Sequence, residues 1–143
     1  MPTFARARLP ALAAAGCCAL CALWLGVNAI DARRVHEAND LGLRGDSAGA
    51  LVKAAGVTRA PARVRALRTQ AYAAALLNRL DEADHALIEA IDAAPNDWSA
   101  HRDRAAVLQH LGRVDEAADE MRRAAALNPR IVPPAGFVLE ARR

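Results

Sequence analysis

RLDEADHALIEAIDAAPND (Arg79–Asp97) and RVDEAADEMRRAAALNPR (Arg113–Arg130) say nearly the same thing twice, offset by the distance from Pro95 to Pro129. Pro61 precedes Pro95 by that same interval, so the register runs from Pro61 to Pro129. Overlaying the two copies brings Ala71 onto Ala105, Leu77 onto Leu111, Ala83 onto Ala117, Leu87 onto Met121 and Ala90 onto Ala124. Each copy holds two apolar stripes of helical period, exemplified by Leu67, Ala71, Ala74 and Leu77 for the first and by Leu80, Ala83, Leu87, Ala90 and Ile91 for the second. Alanines at the contacts let two helix axes approach closely, which suits an antiparallel pair joined by a short turn. Asp81, Glu82, Asp115 and Glu116 fall where the second helices begin, and anionic side chains there favour the positive end of the helix dipole. Proline cannot continue a helix, so Pro95 and Pro129 close the units, and Asn96 or Asp97 is placed to cap the helix that follows.

A repeating unit of about 34 residues, made of a helix, a tight turn, a second helix and a proline stop, resembles the tetratricopeptide repeat. Ala83 and Ala117 match its central alanine, Leu87 and Met121 its large apolar site, and Pro95 and Pro129 its terminal proline. At the Trp, Leu, Gly and Tyr sites of the first helix stand Leu67, Gln70, Ala71 and Ala74, then His101, Arg104, Ala105 and Leu108, so only small and apolar character is kept there. A degenerate unit precedes these two, because Ala38, Gly45 and Ala50 precede Ala71, Asn78 and Ala83 by one position less than the same interval, which implies a shortened loop. Gly42, Gly45, Gly49 and Gly56 fall in that unit, and each interior glycine costs a helix roughly 1 kcal/mol, which makes it the loosest of the three. The fold expected is all-α: a helical-hairpin solenoid of two clear repeats and one degenerate N-terminal repeat. Its segments are a basic region (1–8), an apolar helix (9–30), the degenerate hairpin (31–60), repeats at 61–97 and 98–129, and a tail (130–143) whose short helix, ending at Arg142, caps the stack.

From Leu9 to Ile30 the chain carries no charge at all, and this run is led by Arg6 and Arg8 and followed by Asp31, Arg33 and Arg34. About 20 apolar residues span a bilayer as a helix, so this segment is read as an uncleaved single-pass anchor. A cleaved export signal, with Val27, Asn28 and Ala29 at the processing site, is the alternative, and a buried core helix is a third. Arginine makes up all but one of the 19 basic residues and alanine is abundant, which hints at a bacterial source of high GC content. The expected location is therefore the bacterial inner membrane with the repeats extracytoplasmic, or the periplasm if the segment is removed. Cys17, Cys18 and Cys21 all lie inside the apolar segment, where they read as small apolar residues rather than a redox pair, a metal site or a lipidation site.

Catalysis has no foothold in the pattern. Ser47, Ser99, Thr58 and Thr69 lack the context of an activated nucleophile, and His36, His85, His101 and His110 form no pair at metal spacing, so no catalytic residue, metal or cofactor is assigned. The DEAD tetrapeptide at Asp81–Asp84 follows no glycine-rich phosphate loop and opens a helix instead. From Lys53 to Arg79 there are six basic residues and no acid, whereas Asp81 to Glu120 holds eleven acids against Arg102, Arg104 and Arg113. Only Tyr72 could stack a base beside the basic run, and the acidic stretch would repel phosphate, so nucleic acid is excluded. The resemblance implies that the first helices line a concave groove, here with Arg65, Arg68, Tyr72, Leu76, Arg102, Gln109 and His110, suited to a protein or peptide bearing acidic groups. The carboxylate clamp of some family members is not carried over, because Val35, Asn39, Thr69, Ser99 and Asp103 stand at its places and only Asn39 agrees. The function expected is a non-catalytic scaffold or adaptor, with lateral self-association or stacking between copies as the alternative.

Overall fold

The computed structural model describes residues 8–133 and Phe137. The capping helix expected to end at Arg142 lies outside the described residues, as does the amino terminus before Arg8. Six helices follow in order: α1 (Arg8–Leu43), α2 (Ser47–Ala55), α3 (Ala62–Leu76), α4 (Leu80–Ala93), α5 (Trp98–His110) and α6 (Val114–Leu127). Among the described residues there is no strand, as the helical periodicity requires.

Helix α1 has 36 residues, about 54 Å at the normal rise. Leu20, Leu23, Trp24 and Leu25 along it are all more than 60% exposed, so the helix is not the core of a soluble domain. It is long and apolar enough to cross a membrane or to act as a signal sequence. Neither Asn28 nor Asp31 interrupts it: the Asn28 amide donates to the Trp24 carbonyl one turn back at 2.8 Å, and α1 runs on until Val35 and Ala38 are buried in the domain.

Beyond that point each helix packs on the one before it, and the odd-numbered helices also touch, α1 with α3 and α3 with α5. Neither α5 nor α6 reaches α1 among the described residues. Contacts are made by small side chains. Ala38, Ala71 and Ala105 are buried on the first helices and Ala50, Ala83 and Ala117 on the second, while Leu87, Leu108 and Met121 are the largest side chains fully enclosed. Three turns share one hydrogen-bond pattern. The amides of Asp46, Arg79 and Arg113 reach back to the carbonyls of Leu41, Ala74 and Leu108, each at 2.9 Å, and the amides of Gly45, Asn78 and Gly112 reach those of Gly42, Ala75 and Gln109. This pairing needs a left-handed residue at the bend, and Gly45, Asn78 and Gly112 adopt φ of 85°, 58° and 75°. Asp97 caps α5 by accepting from the Ser99 amide at 3.0 Å, and Asp46 caps α2 in the same way from Gly49.

Candidate binding cleft

Because α3 touches both α1 and α5, side chains of the three helices border a common depression of about 570 Å³. Its floor is small and apolar, with Ala71, Ala75, Ala106 and Val107, and Leu87 of α4 reaches it from below. Its rim is polar: Arg65, Arg68 and Thr69 from α3, Arg102, Asp103 and His110 from α5, and Asn39 from α1. Tyr72 stands 58% exposed between this depression and a smaller one bordered by Ala38, Gly42, Leu43 and Ala73. The Thr69 hydroxyl donates to Asn39 Oδ1 at 2.8 Å and so ties α3 to α1 across the rim.

Of the groove residues expected from sequence, the fold brings Arg65, Arg68, Tyr72, Arg102 and His110 together around the cleft. Leu76, at the end of α3, and Gln109 do not border it. Asp103 is the residue that sequence reasoning missed. Arg68 donates to its Oδ2 from Nε (3.0 Å) and Nη2 (2.7 Å), and Arg102 donates to its Oδ1 from Nε (3.1 Å) and Nη2 (2.7 Å). The Arg102 guanidinium also lies over the Trp98 ring, 5.6 Å from its centre. Asp103 therefore clasps two arginines from successive helix pairs. Three arginines against one aspartate leave the rim two positive charges, and Arg65 is the arginine with no ionic partner among the described residues. The signal was present in the spacing: Asp103 follows Arg102, the counterpart of Arg68 one interval on, so it falls beside Arg68 once the units stack.

A second polar assembly lies behind the cleft, between α4, α5 and α6. Arg104 donates from Nε to Asp84 at 2.7 Å and from Nη1 to Glu120 at 2.9 Å, joining the two neighbouring helices through itself. Asp84 and Glu120 are buried. Arg113 supplies a second donor to Asp84 at 2.7 Å, and Arg123 one to Glu120 at 3.2 Å. Buried His101 places Nδ1 2.6 Å from Glu120 and donates from Nε2 to the Pro95 carbonyl at 2.9 Å. At the solvent edge Arg113 also grips Glu116 with two hydrogen bonds, which hold the Glu116 carboxyl below its ordinary value of 4.5 and raise the Arg113 guanidinium. Every member is satisfied by another, so the assembly has a structural part to play and no reactive group pointing at a ligand.

Among the described residues no group of three His, Cys, Asp or Glu side chains is placed to hold a metal ion, and Cys17, Cys18 and Cys21 are free and exposed on α1. Compared with known protein families the chain matches none, and comparison with curated proteins finds no match either.

Proposed function

We propose that this chain is a membrane-tethered, tetratricopeptide-like scaffold that binds an acidic peptide segment of a partner protein in the cleft between α1, α3 and α5, without catalysis. The observation that carries the reading is the cleft itself, an alanine floor framed by arginines and lined by alternate helices of successive hairpins. Three turns of one hydrogen-bond pattern support the repeat reading. An extended or helical segment can lay small apolar side chains on such a floor and direct carboxylates at Arg65 and at the outward donors of Arg68 and Arg102. With Arg6 and Arg8 kept in the cytoplasm, the repeats stand on the extracytoplasmic side of a bacterial inner membrane; a reporter fused at Arg143 that is active in the cytosol would reverse this orientation.

The test uses the full chain in nanodiscs and fluorescein-labelled amphipathic peptides of equal length that differ only in carrying acidic or basic residues. Acidic peptides bind and basic ones do not; Arg65→Glu or Tyr72→Ala weakens binding about tenfold or more, the cost of one charged or aromatic contact. Asp103→Asn releases two guanidiniums and strengthens binding roughly three- to tenfold at low salt, a modest gain because the clasp is partly solvated. Equal binding of both peptide sets, or indifference to Arg65→Glu, removes the cleft assignment.

A further inference from the structure

Four arginines at the end of the domain nearest the apolar segment are used by neither the cleft nor the buried polar assembly. Ile30 ends the uncharged run and Asp31 begins the charged one, with the helix unbroken through both. At 1.5 Å per residue, Arg33 and Arg34 therefore stand within about 6 Å of the edge of the apolar segment, whereas the α1–α2 turn lies about 20 Å away. The α2–α3 connection is folded back to the level of Arg34. Arg34 Nη1 donates to the Gly56 carbonyl at 3.4 Å, and Arg59 Nη1 lies 3.8 Å from Asp31 Oδ2. Arg63 follows in the first turn of α3.

Acid and base are sorted at this end. Asp31 is 2% exposed, its Oδ2 has no hydrogen-bond partner, and Arg34 and Arg59 stand 3.7 and 3.8 Å from its carboxylate. The side chains of those arginines remain 48% and 64% exposed, and Arg33 is exposed as well. Burying the carboxylate under two guanidiniums hides negative charge and turns positive charge outward. Glu89 is paired with Arg63 at 2.7 Å, the exposed Asp92 follows it on α4, and one turn further along α1 the charges balance, Glu37 with Lys53 at 2.5 Å.

We propose that Arg33, Arg34, Arg59 and Arg63 form a collar that docks on anionic phospholipid headgroups of the bilayer that α1 crosses, holding the repeats against the membrane and setting the direction in which the cleft faces. The proposal rests on reading α1 as an uncleaved anchor. Lipid phosphates occupy the level next to the hydrocarbon edge, where these arginines stand, and the guanidinium fork matches a phosphate in two hydrogen bonds. Each arginine near an anionic surface shifts the docking equilibrium roughly fivefold.

The experiment uses the full chain with Cys17, Cys18 and Cys21 replaced by alanine and a nitroxide attached at Thr58→Cys, an exposed position in the α2–α3 connection. Accessibility to a water-soluble nickel quencher is compared in vesicles of phosphatidylcholine alone and of phosphatidylcholine with phosphatidylglycerol, after an alkaline wash. The expected result is retention in both, several-fold protection of the label only with phosphatidylglycerol, and loss of that protection in Arg33→Gln with Arg63→Gln, which leaves both partners of Asp31 in place. Retention with equal accessibility in the two lipids overturns the collar and leaves the anchor standing. Removal by the wash overturns both.

Discussion

Arg104→Met tests how α4, α5 and α6 are held together. The substitution keeps most of the side-chain volume and removes the donors that join Asp84 to Glu120. Breaking a buried ion pair from one side typically costs about 3–5 kcal/mol, because a charge is left buried without its partner. Here each carboxylate keeps other partners, Arg113 for Asp84 and His101 and Arg123 for Glu120, and Arg104 is itself 17% exposed. The expected loss is therefore lower, about 2–4 kcal/mol. Urea unfolding of the full chain in detergent, followed by circular dichroism, measures it. The same substitution in a chain already carrying Asp84→Asn and Glu120→Gln should cost less than about 1 kcal/mol, since no buried negative charge is then orphaned. A loss below about 0.5 kcal/mol in the parent chain would place Arg104 with exposed surface pairs and refute the reasoning. So would an equal loss in the two backgrounds.

At the bends, Gly112→Ala should cost about 1–2 kcal/mol from the left-handed backbone alone, because an added Cβ meets no atom within 4 Å. Asn78→Gly at the equivalent bend should be neutral or slightly stabilising, and thermal unfolding of both variants checks the pair. Glu116 has a folded-state carboxyl value below the ordinary 4.5, so its bond to Arg113 favours the folded chain above that pH and is lost as the pH falls through the depressed value. The difference in melting temperature between the parent chain and Glu116→Gln should therefore be constant near neutrality and shrink below about pH 4.5; a gap that persists at low pH contradicts the assignment.

The helices were legible because they depend on local spacing. Alanines at helical period and Asp97 before α5 mark them without reference to any tertiary neighbour, whereas Gly45, counted among the glycines interior to a helix, stands at a left-handed bend equivalent to Asn78 and Gly112. The continuity of α1 was not legible. In the sequence the apolar helix is bounded at Ile30 and Asp31 opens the next segment, yet the helix runs on and Asp31 is enclosed by arginines, one of them from the α2–α3 connection. The resemblance implied a groove face with Arg65, Arg68 and Tyr72, but it could not say that Asp103 pairs with two of the three rim arginines. That depends on the offset between one hairpin and the next, a quantity that single-helix periodicity does not contain. For the same reason Arg59 and Arg63 read as an ordinary basic run until the fold set Arg59 beside Asp31, close to where the apolar segment ends.

That offset has a physical source in the composition of the core. Alanine against alanine gives close approach but little directional preference, since a methyl group fits nearly as well one turn along, and only Leu87, Leu108 and Met121 are large side chains fully enclosed. Ion pairs with fixed geometry supply the missing discrimination. Sliding α6 by one turn along α5 would move Glu120 about 5 Å and separate it from His101 and Arg104 at once, leaving a buried carboxylate unsatisfied. Arg68 and Asp103 do the same between α3 and α5, on the cleft side. In the second clear unit, at the positions where the resembling repeat carries Trp and Leu, stand His101 and Arg104, so large apolar knobs are exchanged there for a satisfied polar lattice that sets register at some cost in burial. The width of the cleft follows from that register, because its opposite rims stand on helices that the ionic contacts hold in place.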